Sequence, residues 1–270
     1  MQPDPAPLET PPANPVATLE EAVNRMVAID AELALDDGLR YFNLLYLEVT
    51  REAVRWVGGG QLEDPRFLEH LAVLFSNAYF RAVEDFEQVA ANGASQAWAP
   101  LFAARFDRRV APIQFALAGM NAHINYDLPI GVRETCRAFG LTPEDDTPHH
   151  QDYLRLNAIL ADVQERVKPW LATGLLGVID RAFGRLDDVV AAFSVARARD
   201  AAWVHSKVLW SMREDPQLSS SYLLALDGVV GLAGHGLVVP TLLGLGGWVS
   251  AQRWLPGRVR SLLGGPRGVS

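Results

Sequence analysis

Apolar residues recur at helical spacing along almost the whole chain, and no stretch alternates apolar and polar residues as a half-buried strand would. Thr18-Leu-Glu-Glu21 reads as a capping box and opens a helix through Leu19, Ala22, Val23, Met26, Val27 and Ile29 that ends near Asp30. Asp36-Asp37-Gly38 breaks and recaps the chain. Phe42, Leu45, Tyr46, Val49, Val54 and Val57 then carry a helix from Leu39 to the stop at Gly58-Gly59-Gly60. Asp64-Pro65 opens a third helix, with the proline where its missing N–H is harmless, running to about Ala91 and closed by Asn92-Gly93. Ser95 caps a shorter one to about Phe106, and Ala111-Pro112 starts the next. Pro129 predicts a kink or restart, with a short helix over Ile130 to Phe139 ending at Gly140. A loop follows over 142–150, then an amphipathic stretch from Asp152 to Val167. A further helix lies between Pro169 and Gly184, and a long one runs from Leu186 to about Met212, broken by Asp215-Pro216.

The pattern therefore predicts an all-α fold of roughly nine to eleven helices in a single domain over 18–255, preceded by a disordered Pro-rich arm (1–17) and followed by a flexible basic tail (256–270).

One stretch departs from ordinary amphipathicity. Val110 to Leu128 reads VAPIQFALAGMNAHINYDL, with no formal charge between Arg109 and Asp127 and with Asn121, His123, Asn125 and Asp127 at every second position. At 100° per residue Asn121 and Asn125 share one face, and His123 and Asp127 share the nearly opposite one. A helix apolar on most of its circumference is buried on most of it. Its polar groups then need internal partners, each costing on the order of 1–3 kcal/mol if left without one. This is the helix around which the fold is expected to be built.

Composition narrows the function classes. Hydrophobic residues are 49% and charged residues 21% of 270, an ordinary globular balance. A formal charge of −8 argues against nucleic-acid binding, which needs a basic surface; the short basic runs at Arg51 to Arg55 and Arg105 to Arg109 read as solvated faces. The single cysteine, Cys136, permits no intramolecular disulfide, which fits a reducing compartment and a cytoplasmic location. The Pro-rich N-terminal stretch lacks the basic and apolar regions of a secretory signal. Val229 to Ser250, 22 residues whose only ionisable side chain is His235, is long enough to span a bilayer and is followed by several arginines. Its six glycines and Pro240 favour a buried or peripheral apolar segment, which leaves membrane-surface contact through 229–254 as an expected association.

The candidate chemistry centres on His123 and Asp127. Their i, i+4 spacing suits either a pair of metal ligands or an imidazole oriented by a carboxylate. Asn121 and Asn125 would orient substrate or stabilise developing charge. His149 and His150, in His149-His150-x-Asp152, and His205 are the candidates to complete a metal set; bound zinc, iron or manganese would supply a water nucleophile. There is no GxSxG elbow, no GxxxxGK phosphate loop, no GxGxxG after a strand and no HExxH.

At GMNAHINYDLP (Gly119 to Pro129) the chain resembles DUF5995, an uncharacterised, mostly bacterial family of unknown function. YFNLLYLEVT (Tyr41 to Thr50), FLEHLAVLFSNAYF (Phe67 to Phe80), DYLRLN (Asp152 to Asn157) and ARDAAW (Ala198 to Trp203) carry the same resemblance, from about residue 18 to about 235. It implies one helical domain and no assigned activity. The His123-x-x-x-Asp127 unit is also similar to one ligand pair of the zinc-dependent phospholipase C and nuclease fold. The chain departs from that fold in lacking its N-terminal tryptophan and its further His-x-x-x-Glu pair.

Three functions fit these residues. The first, preferred on sequence, is a metal-dependent hydrolase built on His123, Asp127 and a histidine from His149, His150 or His205. The second is a metal-free cyclase or isomerase of a hydrophobic metabolite, with His123 as acid or base. The third is a non-catalytic module that binds an apolar ligand or a membrane surface.

Overall fold

The computed structural model describes residues 11–60, 62–88, 95–157, 160, 163 and 194–240. The described residues are helical with no strand: α1 (Leu19–Glu32), α2 (Leu39–Gly58), α3 (Pro65–Gln88), α4 (Ala99–Ala104), α5 (Pro112–Ala122), a π-helical turn (His123–Asp127) and α6 (Leu128–Phe139). A helix α7 follows over 148–157, then α8 (Val195–Ser211) and α9 (Pro216–Leu237). The expected helix between Pro169 and Gly184, residues 186–193 and residues 241–270 lie outside the described residues.

The predicted central helix is the axis of the fold. From Val110 to Val132 every residue is buried except Ile113 and Asn125, which are half-buried. α2, α4 and α9 pack on α5, α3 and α8 pack on α6, and α3, α8 and α9 reach the π turn between them.

At Pro129, where a kink or restart was expected, α6 starts behind a π-helical turn with the proline in its first turn. A proline clashes with the carbonyl four residues before it and offers that carbonyl no N–H. The turn ahead of Pro129 is widened instead: the amide of Leu128 donates to the carbonyl of His123, five residues back, and Pro129 falls in the first turn of α6. α6 ends at Gly140, whose φ of 64° is left-handed, while Leu141 N–H reaches the Cys136 carbonyl at 2.8 Å.

Close approach of α2 to α5 depends on Gly119, since a Cβ there would stand 2.3 Å from the Phe42 ring. Carboxylates from distant segments cap two helix starts. Asp152 accepts from the Glu63 amide at 3.0 Å and from that of Asp64 ahead of α3. Asp227 of α9 accepts from Ser95 Oγ (2.6 Å) and from the amides of Gln96 and Ala97 (both 2.9 Å) in the turn before α4. Ser95, expected as the cap, thus donates to the group that does the capping.

Of the stretch 1–17, residues 11–17 run without helix across α1 and α3. Val16 exchanges two hydrogen bonds of 2.9 Å with the Asn77 amide, and the Ala13 amide donates to Glu84 at 2.7 Å. Of the apolar stretch 229–250, the first part continues α9 to Leu237. Among the described residues no helix is long and apolar enough to cross a membrane.

Candidate functional site

His123 and Asp127 stand at the two ends of the π turn. Nδ1 of His123 lies 2.8 Å from Oδ2 of Asp127, and the indole Nε1 of Trp98 donates to the same oxygen at 3.1 Å. Single π turns inside α-helices recur at functional sites. Here the turn leaves both side chains on one side of the axis. His123 is 2% exposed and Asp127 3%.

Aromatic rings enclose the imidazole. Phe75 of α3 stacks on it with centroids 3.4 Å apart and planes within 5°. Tyr46 of α2 meets it edge-on at 4.6 Å, with Phe42 at 5.7 Å and Trp98 at 5.8 Å. The Tyr46 hydroxyl is 3.0 Å from Ser76 Oγ, and Tyr79 donates to Asn43 at 3.0 Å, so these phenols have partners of their own. Nε2 of His123 has none: it is fully buried and makes no hydrogen bond among the described residues. A buried group left so costs on the order of 1–3 kcal/mol, an expense that packing alone does not require.

Burial sets the charge of the pair. It holds the His123 imidazole well below its ordinary value. It holds the Asp127 carboxyl well above its own, reinforced by the negative charge of Asp227 and opposed by the Trp98 hydrogen bond. Both shifts favour the uncharged form of each group. In a neutral pair the carboxyl O–H donates to Nδ1, and the one hydrogen of the imidazole sits on Nε2. In that form the group without a partner is a proton donor.

His123 also lines a cavity of about 100 Å³ between α2, α3, the π turn, α7 and α8. Its walls are almost wholly apolar, with Leu45, Val49, Leu71, Phe75, Met120 and Ile124 prominent, and Arg199 of α8 is the charged residue among them. The void is of the size that stays dry when its walls are apolar and admits a small hydrophobic group.

The other sequence candidates are placed elsewhere. Asn121 faces the opposite side of the helix, as its 100° spacing requires, where its Nδ2 donates to the Val230 carbonyl of α9 at 2.9 Å. Gly234, with no side chain, leaves room for that amide. Asn125 donates to Asn121 Oδ1 at 3.1 Å, so the two asparagines tie α9 to the axis and do not reach the cavity. His149 Nε2 is 2.9 Å from the Thr142 carbonyl, and its ring packs on Phe67. His150 accepts from the Asp146 amide at 3.1 Å and stacks on Trp203. These two histidines pin the 142–150 loop. His205 Nδ1 is 2.6 Å from the Tyr222 hydroxyl. Of the set considered for a metal, the structure brings together His123 and Asp127. Among the described residues no three His, Cys, Asp or Glu side chains are gathered as a metal site would need.

Sequence reasoning missed Trp98, the aromatic cage and Arg199. The cage residues recur at helical spacing in α2 and α3 and read as core, which most of their surface is. Trp98 precedes a short helix, two positions before Pro100, and nothing in the sequence relates it to Asp127, 29 positions away.

Fold and site together define an all-helical protein with a buried imidazole–carboxyl pair set against an apolar cavity. A family model described as a family of unknown function (DUF5995) matches residues 19–240, and the chain belongs to that family. No curated protein and no solved structure matches it.

Proposed function

We propose that this chain is an enzyme that encloses an apolar small molecule beside His123 and moves a proton to and from it through Nε2, in an isomerisation or cyclisation. The observation that carries this reading is the unpartnered Nε2 of a fully buried imidazole whose Nδ1 is already held by a carboxyl group.

The proton steps balance within the pair. Nε2 gives its hydrogen to a basic atom of the ligand, and the Asp127 proton crosses to Nδ1. The imidazole stays neutral, and a carboxylate remains that accepts from Trp98 Nε1. Positive charge developing on the ligand faces the new negative charge of Asp127. In the return step Nε2 takes a proton from another ligand atom and the Nδ1 proton goes back to Asp127. The net change is a proton moved from one ligand position to another, with no other reactant. A dry, apolar enclosure suits it, because water would compete for the proton.

The metal-dependent hydrolysis expected on sequence would require at least a third donor beside His123 and Asp127. Among the described residues no further His, Cys, Asp or Glu is gathered with the pair.

The test follows deuterium into a ligand. The protein is incubated in D2O with 2-octanone, whose α-hydrogens exchange only by acid–base chemistry, and the ketone is read by mass spectrometry. Wild type should accelerate exchange, His123→Gln should lose the acceleration, and Asp127→Asn should reduce it. Exchange no faster than in buffer, or equally fast with His123→Gln, overturns the reading.

A further inference from the structure

Among the described residues three arginines are buried: Arg40, Arg133 and Arg199. Arg40 pairs with Asp30 at 3.1 Å and Arg133 with Glu134 at 2.7 Å. Arg199 pairs with no carboxylate among the described residues. Its Nε donates to the Asn157 side-chain carbonyl at 2.7 Å and one terminal nitrogen to the Tyr153 carbonyl at 2.5 Å, both uncharged acceptors. Its guanidinium carbon lies 4.1 Å from the Tyr153 ring centroid, and Tyr153 returns a hydrogen bond from its hydroxyl to the Arg199 carbonyl at 2.7 Å. Asp200, the neighbour in sequence, is exposed and forms no ion pair with it. Arg199 itself is 4% exposed.

A guanidinium does not lose its proton in a protein, so the charge persists inside the fold. Burying a cation without a counter-charge is among the costliest arrangements a fold can carry. The two neutral acceptors and the ring orient the group without neutralising it. They engage Nε and one terminal nitrogen and leave the other terminal nitrogen with no hydrogen bond among the described residues. Arg199 is also the charged residue among those lining the cavity that holds His123.

We infer that the molecule enclosed in this cavity carries a single carboxylate, which pairs with Arg199 while its apolar body fills the space toward His123. This rests on the reading of the cavity as a ligand site and names the class of ligand. Among the described residues this positive charge has no carboxylate in ion-pair contact, and it calls for one negative charge. A phosphate monoester would bring up to about two and leave a buried excess. The terminal nitrogen that makes no hydrogen bond among the described residues can give one strong, charge-assisted hydrogen bond, which a carboxylate accepts. The ligand is then a small apolar monocarboxylic acid, bound head to Arg199 and oriented so that its chain, not its head, meets the imidazole.

The test uses the full chain and ligands matched in all but the head group. Binding of hexanoate, octanoate and decanoate is compared with the alcohols of equal length and with octyl phosphate, by calorimetry and by the shift in unfolding midpoint. The wild type should bind an acid at least tenfold more tightly than the matching alcohol and than octyl phosphate. Arg199→Gln should erase that preference, and Ala72→Leu, which fills the cavity, should weaken acid and alcohol alike. Equal binding of acid and alcohol overturns the carboxylate inference and leaves the apolar site standing. Binding of none of them to wild type overturns both. Acid binding unaffected by Ala72→Leu would place the acid on the surface and overturn the inference too. Should Arg199→Gln fail to fold, the head-group series on wild type decides.

Discussion

Nδ1 of His123 and Oδ2 of Asp127 are 2.8 Å apart inside an aromatic cage, and burial shifts both groups toward their uncharged forms. This predicts a specific pH dependence. Asp127 keeps its proton in the fold above 3.8, the ordinary value at which the unfolded chain loses it. A raised carboxyl contributes stability that is complete below that value and is lost as pH rises toward the folded one. His123 stays neutral in the fold below 6.5, where the unfolded imidazole charges, so its contribution is lost as pH falls through that value. Between these limits folded and unfolded pairs hold equal numbers of protons, and the pair adds no slope. In Asp127→Asn only the imidazole remains. The variant should lose about 1.4 kcal/mol relative to wild type for each pH unit below 6.5. Urea unfolding from pH 4 to 7 measures it; parallel curves would show that the pair does not titrate as a unit.

Gly119 lets α2 lie against α5. With its Cβ placed 2.3 Å from Phe42, Gly119→Ala should force the ring aside and cost about 1–3 kcal/mol. Urea unfolding reads the loss, and the near-ultraviolet dichroism of the cage should change with it. An unchanged midpoint would mean that the helices separate freely.

Asp227 answers three donors of the turn before α4. Asp227→Ala leaves two backbone N–H groups in that turn without their acceptor and should cost about 2–4 kcal/mol. Because the same turn positions Trp98, the indole should also lose its hold on Asp127. Tryptophan fluorescence and unfolding should therefore change together, and a loss of stability with unaltered fluorescence would separate the cap from the site.

Ala72 lines the cavity, so Ala72→Leu should occupy the void with apolar carbon. The variant should be as stable as wild type or gain about 0.5–2 kcal/mol, while deuterium exchange into 2-octanone is abolished. Thermal unfolding beside the exchange assay checks both parts. A destabilised variant that still exchanges would mean that the space is not where the ligand sits.

Much of the frame was legible in the pattern of residues. Buried helices leave a periodic mark, and the uncharged run from Val110 to Tyr126 announced an axis buried nearly all round. The 100° spacing separated the His123–Asp127 face from the Asn121–Asn125 face, and the structure keeps them apart. Distance in the chain hid the rest. Trp98 reaches Asp127, Asp227 caps a turn 130 positions earlier, and Arg199 enters a cavity built mainly by α2 and α3. No local spacing encodes such meetings. His149 and His150 suggest ligation by composition, and in the fold their rings pack on Phe67 and Trp203, away from His123 and Asp127. Pro129 reads as a kink or restart by local rule, and it falls in the first turn of α6 behind one widened turn.

The most direct test is the protonation state of His123. The protein is labelled with 15N at histidine, its imidazole nitrogens are followed by NMR from pH 5 to 8, and His123→Gln assigns the signal. The expected result is an imidazole that stays neutral throughout, with its hydrogen on Nε2 and a nitrogen at Nδ1 that accepts a hydrogen bond. A His123 that titrates near 6.5 like an exposed imidazole, or that carries its hydrogen on Nδ1 alone, would contradict it.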